Sequence, residues 1–201
     1  MVGLRYFVRD GTRTIKYFYY RYVRKLLTSN YIRQAGENVL RQKAEPVDPT
    51  AIVSTDVKNL TNKMIKIMRR HGDLGIAAPQ IGRPLRIITF EITKRHLNYL
   101  QAQYRQVVQR ETVPLQVLIN PQIKVIDRTT VAEYESCSSI HACMAKVPRY
   151  KSVQVTALNL QGQKVNYVAD GWLSRIIQHE VDHLDGLLYV DKMISKTFSK
   201  V

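Results

Sequence analysis

Negative charge is what this chain has least of. Its 201 residues hold 16 Asp and Glu against 31 Lys and Arg, a formal net charge of +15, which excludes an acidic, cation-buffering protein. Cysteine is scarce too. Cys137 and Cys143 stand six residues apart with no CxxC pair, which makes a poor disulfide framework and points to free thiols. No stretch reaches the ~18 uninterrupted apolar residues of a membrane span, and no internal repeat suggests a solenoid or propeller. The 45% hydrophobic content that is present suffices for one globular domain with a sizeable core.

The positive charge is uneven. Residues 1–35 carry Arg5, Arg9, Arg13, Lys16, Arg21, Arg24, Lys25 and Arg33 against Asp10 alone. Arg5, Arg9, Arg13 and Lys16 fall on one helical face, with Phe18, Tyr19, Tyr22, Val23 and Leu26 nearby. A basic, acid-poor, amphipathic N-terminus reads as a mitochondrial transit peptide and a matrix address, although Ser29 is its one serine. An inert basic arm and a nucleic-acid tail are the alternatives. The charge at Lys63, Lys66, Arg69, Arg70, Lys192, Lys196 and Lys200 is by default a solvated face, one also suited to transient ribosome proximity.

Against this background stands His179-Glu180-Val181-Asp182-His183. Two histidines four residues apart share one face of a helix, one turn apart, where they can bind one metal with a carboxylate beside it. Leu173, Ile176, Ile177, Val181 and Leu184 recur at helical spacing, with Asp170 a candidate N-cap and Gly186 a stop. A zinc-peptidase arrangement needs a third ligand further along the chain. After His183 neither Glu nor His occurs, and beyond Asp185 the one carboxylate is Asp191, so the third ligand should lie upstream. One cysteine with two histidines leaves an open position for water, the arrangement of a catalytic metal. Spacing alone does not choose between Cys137 and Cys143.

Val57, Leu60, Met64, Ile67 and Met68 predict a helix from about Thr55 to Arg70 that stops at Gly72, with the methionines as core filler. Leu85 to Ile92, Leu115 to Ile119, Ile123 to Ile126, Val153 to Leu158 and Lys164 to Ala169 predict strands. The turn Asn159-Leu160-Gln161-Gly162 makes the last two an antiparallel hairpin. With no βαβ alternation, the expected fold is α+β: mostly antiparallel sheets packed around a central helix that carries the metal ligands. Lys94 to Pro114, polar and Gln-rich, reads as a helix or a surface excursion. His71, His96 and His141 lack spacing to the pentamer and read as structural or solvent-facing.

Three segments in order, Gly75-Ile76-Ala77-Ala78-Pro79-Gln80, Glu135-Ser136-Cys137-Ser138-Ser139 and Gln178-His179-Glu180-Val181-Asp182-His183-Leu184, resemble the peptide deformylase motifs G-x-G-L-A-A-P-Q, E-G-C-L-S and Q-H-E-x-D-H-L. The resemblance runs from about Gly36 to Met193, and the Gly-Trp-x-x-Arg-x-x-Gln-His-Glu run is similar to the family's mitochondrial branch. It implies a catalytic domain over residues 36–201 preceded by the basic arm of residues 1–35. It also implies that Cys137, His179 and His183 hold one divalent metal, iron(II), with zinc, nickel or cobalt able to take its place. Glu180 is then the general acid/base, and Gln80 with the backbone N–H of Ser138 stabilises the oxyanion. Leu74, Gly75, Glu135 and Ser136 fall where the family binds its peptide, and Trp172 with Ile176 can wall an apolar pocket for a methionine side chain.

The implied reaction removes formyl from the N-terminal methionine of newly made polypeptides and releases formate. Mitochondrial synthesis, which begins with formyl-methionine, would supply the substrate. The alternatives are a divergent paralogue with weak or altered activity, a metalloprotease, and a non-catalytic peptide-binding module. Four departures from the motifs bear on them, one being that Ile140 to Lys146 lacks the Val-Pro that often follows the cysteine motif. Asp73 occupies the place of the first glycine of the first motif, Ser136 replaces the glycine of E-G-C, and Ser138 stands where bacterial members carry leucine.

Overall fold

The structure, a computed structural model, describes residues 31–103 and 111–200. The basic helical face expected at Arg5 to Lys16 lies outside them. Among the described residues the strands are β1 (Gly75–Ala77), β2 (Ile87–Ile92), β3 (Val113–Cys137), β4 (Ile140–Leu158), β5 (Lys164–Asp170) and β6 (Ser199–Lys200). They form one sheet in the order β1-β2-β3-β4-β5, with β6 on β4, and every strand pairing is antiparallel. The helices are α1 (Thr55–His71), α2 (Lys94–Gln103) and α3 (Gly171–Leu184), so the α+β expectation holds. No helix among the described residues is long and apolar enough to cross a membrane.

Alternation along β2 explains how the layers assemble. All six of its residues are buried, because both faces of the sheet are covered. Ile87 points into a cluster with Met64, Ile67 and Met68 of α1, Ile76, Val117 and Ile119. Ile88, Phe90 and Ile92 point the other way, toward Ile176, Ile177, Val181 and Leu184 of α3 with Leu118, Val153 and Val155. α1 begins where the Ser54 hydroxyl accepts from the Val57 N–H at 3.3 Å, and it ends at Gly72, whose φ of 73° is left-handed. The two methionines are fully buried core, as expected of filler.

Several boundaries differ from the sequence reading. The two strands expected at Leu115 to Ile119 and Ile123 to Ile126 are one, β3, kinked where Asn120 takes φ 52° and the register with β4 shifts between Ile119 and Gln122. Asn120 is held there by bonds of 2.8 Å to the backbone of Val47 in both directions. β3 and β4 then run on together as far as Cys137 and Ile140. Asp170 sits before α3 in extended conformation, but its side chain makes no cap bond. The Lys94 to Pro114 segment opens as α2. Residues 32–35, grouped with the basic arm by composition, join the fold: Ile32 is buried, the Arg33 N–H donates to the Gln80 carbonyl at 2.7 Å, and the Ala35 N–H donates to the Ser139 carbonyl at 2.8 Å.

Candidate metal centre

α3 packs its apolar stripe on the sheet and brings His179, Glu180 and His183 to the end of the β3–β4 ladder, where β3 terminates in Cys137. The ligand atoms of Cys137, His179 and His183 lie within 4.8 Å of one another, and His183 Nε2 is 3.4 Å from Cys137 Sγ. The geometry settles what spacing left open: among the described residues it is Cys137, not Cys143, that joins the histidines. Cys143 instead pairs along the ladder with Lys200.

These side chains are held from behind. Glu135 Oε2 lies 2.9 Å from His179 Nδ1, which fixes the ring and leaves Nε2 for a ligand. Burial opposes charge on His179, but the Cys137 sulfur and the Glu135 carboxylate outweigh it and hold its pKa well above the usual imidazole value. Burial, followed by the His179 charge, pushes His183 well below that value. Arg149 grips Glu135 bidentately at 2.9 Å and 2.9 Å, Arg175 adds a bond of 2.6 Å, and Arg149 also reaches Asp182. Glu135 lines the cavity as expected, but both its oxygens are engaged by these groups. Substrate contact is therefore not its geometry. Sequence reasoning missed Arg149, Asp182 and Arg175 as parts of this cluster; charged residues alternating on both strands (Glu133, Glu135, Arg149) were the available signal.

Glu180 is 4% exposed. Its Oε2 has no partner among the described residues, and burial raises its carboxyl to about 8, with His179 opposing and Asp73 and Glu135 adding to the rise. A divalent cation beside it would pull that value down. Gly75, at the start of β1, makes room for it: a Cβ there would stand 2.7 Å from Glu180 Oε1. Gln80 is pinned by the Ala77 N–H donating to its Oε1 at 2.8 Å, and its Nε2 donates to Ser139 Oγ at 3.2 Å and to Cys137 Sγ at 3.4 Å. The Ser138 hydroxyl donates to both carboxylate oxygens of Asp73 at 2.8 Å.

Cys137, His179 and Glu180 line a cavity of about 670 Å³, within the range of small-ligand sites. Leu74, Gly75, Gln80, Ser136, Ser138, Trp172 and Ile176 all line it, whereas His183 lies behind, among the donors with Cys137 and His179 but outside the lining. His71 and His96 lie on its rim, outside the ligand group. One cysteine sulfur and two imidazoles, with an unpartnered carboxylate oxygen beside them, fit a divalent transition metal with an open coordination position.

Such a site on a helix packed against an antiparallel sheet defines a mononuclear metallohydrolase. The chain belongs to the polypeptide deformylase family, whose pattern matches residues 29–199. It is 36% identical over 189 residues to the mitochondrial peptide deformylase of Homo sapiens, covering 91% of this chain and 78% of that protein. It is 42% identical over 167 residues to peptide deformylase 1A, chloroplastic/mitochondrial, of Arabidopsis thaliana, covering 83% of this chain and 62% of that one. Among solved structures, the Met-Ala-Ser-bound class I type b peptide deformylase from Acinetobacter baumannii superposes with a TM-score of 0.71 at 30% identity, covering 81% of this chain and 96% of that one.

Proposed function

We propose that this chain hydrolyses the formyl group from the N-terminal formyl-methionine of newly made mitochondrial polypeptides, releasing formate. The observation that carries the proposal is the convergence of Cys137, His179 and His183 at a cavity lined by Cys137, His179 and Glu180, whose Oε2 has no partner among the described residues. Cys137, His179 and His183 would hold a single iron(II), and zinc, nickel or cobalt would suit the same donors. When bound, such an ion supplies Lewis acidity and lowers the pKa of a water from ~15.7 toward ~7.

Glu180 takes the proton of the attacking water and returns it to the departing amine. As the carbonyl oxygen becomes negative, the Gln80 amide and the Ser138 N–H donate to it, each such donor commonly contributing ~3 kcal/mol. An extended peptide lies along β1, whose outer edge no strand among the described residues occupies, at Leu74 and Gly75. Trp172 and Ile176 enclose its methionine side chain. The basic residues before the fold serve as the address to the mitochondrial matrix.

The test is formate release from N-formyl-methionyl peptides by iron(II)-loaded protein kept free of oxygen. Glu180→Gln should reduce turnover by ~10²–10⁴ while metal content is unchanged. Cleavage of internal peptide bonds would instead identify a metalloprotease.

A further inference from the structure

Two of the departures from the family motifs touch each other. Asp73 and Ser138, 65 residues apart in sequence, meet through the bonds from the Ser138 hydroxyl to both Asp73 oxygens at 2.8 Å. Asp73 is rigidly placed. Gly72 takes the left-handed conformation, its N–H reaches the Arg69 carbonyl at 3.3 Å, and the Asp73 N–H reaches the Met68 carbonyl at 3.1 Å, which is the Schellman closure of α1. One residue further on, the Leu74 carbonyl accepts from the Glu91 N–H at 3.0 Å. Asp73 is thus a fixed post between the helix end and Gly75, the residue against Glu180.

The turn that joins β3 to β4 is gripped from several directions. Gln34 Nε2 donates to the Ser138 carbonyl at 3.0 Å, the Ala35 N–H donates to the Ser139 carbonyl at 2.8 Å, and Gln80 Nε2 donates to Ser139 Oγ at 3.2 Å. These contacts hold the carbonyls and Ser139. The Ser138 side chain is held by Asp73, and it leaves the Cα whose own N–H follows directly on the Cys137 ligand.

We propose that Asp73 is a positioning residue for deformylation: through the Ser138 hydroxyl it fixes the turn that presents the Ser138 N–H to the developing oxyanion, in register with Glu180 across the cavity. The inference rests on the oxyanion role proposed for that N–H. The bond needs an acceptor at position 73 and not a charge, so an amide there should serve. An aliphatic residue should not.

The experiment compares the full iron(II)-loaded chain with Asp73→Ala, Asp73→Asn, Ser138→Ala and the Asp73→Ala/Ser138→Ala double variant, on a formyl-methionyl tripeptide. Metal content and thermal midpoint are measured on each. Ser138→Ala keeps the backbone N–H, so it removes only the strut. Each alanine variant should lose about tenfold in kcat, short of the ~10²–10³ for deleting a donor outright, with KM within about twofold and metal content equal. Asp73→Asn should retain most of kcat, and the double variant should be no worse than either single variant, because both remove one interaction. Multiplying losses, an Asp73→Asn as slow as Asp73→Ala, an unchanged kcat, or a loss confined to KM or metal content would each overturn the proposal. Formate release by the unsubstituted chain with a slow Asp73→Ala supports it; no release by the unsubstituted chain removes the underlying reading, and the inference with it.

Discussion

Two buried regions of this protein are built on opposite principles. Under α1 the contacts are apolar: Met64, Ile67 and Met68 meet Ile76, Ile87 and Ile119 with no exposure at all. At the far end of the β3–β4 ladder the inward positions are charged. Glu135 is bound by Arg149, Arg175 and His179, and Arg149 passes on to Asp182, which Lys192 also reaches. The first region supplies transfer free energy and tolerates adjustment. The second gains little net stability, because desolvating each ion offsets much of the attraction. What it provides is direction: every bond to Glu135 constrains where the His179 ring points. The lesson is that stability and the geometry of the candidate metal centre are held by separate layers, which substitutions should separate.

The largest effect is expected from Glu135→Ala. It leaves Arg175 buried without its carboxylate partner, Arg149 with Asp182 alone and His179 Nδ1 without its partner, which should cost about 3–5 kcal/mol of stability and about 10–100-fold in metal affinity. Met64→Ala should cost about 2–5 kcal/mol through a cavity and leave the metal affinity of the folded protein unchanged. Thermal or denaturant unfolding, alongside metal titration, checks the pair. Parallel loss of metal in both variants would break the distinction.

Acid should separate the regions more gently. Burial raises the Glu135 carboxyl, but Arg149 and His179 outweigh it and hold the folded pKa well below its ordinary 4.5. A carboxylate depressed in the folded state adds stability that is fully present above its unfolded pKa and is lost as pH falls through the window beneath it. Unfolding midpoints should therefore decline below about pH 4.5. Glu135→Gln should flatten that slope, and Met64→Ala should lower the curve without changing its shape.

The same contrast explains what the sequence made legible. The apolar periodicity of Val57 to Met68, the Gly72 stop and the hairpin at Asn159 to Gly162 all stand in the structure as expected, because each is a local signal backed by packing. Cys137, His179 and His183 converge as the motifs implied. The run from Val131 to Ser152 was not legible as strand. Its buried positions include Glu133, Glu135 and Arg149, so apolar alternation, the usual mark of a half-buried strand, is missing where ion pairs replace it. Ile32 to Ala35 were misgrouped for a related reason: local basic composition hides contacts that are made with Gln80 and Ser139, far along the chain.

The smallest effect is expected at Ser136. It sits in the charged arm between Glu135 and Cys137, yet its own side chain is exposed and faces the cavity. Its φ is not among the positive ones, so serine is unstrained where the family motif has glycine. Any consequence must come from the hydroxymethyl group standing beside the peptide. Ser136→Gly should raise kcat/KM by about twofold, chiefly through KM, as uniform binding improves. It should also lower stability by about 0.5–1 kcal/mol, because glycine in a strand loses more backbone entropy on folding. Kinetics on formyl-methionyl peptides with larger and smaller second residues would sharpen this further. If the hydroxymethyl crowds the substrate, the gain should be greatest for the larger residue, and an unchanged kcat/KM for both would show that the cavity accommodates serine without cost.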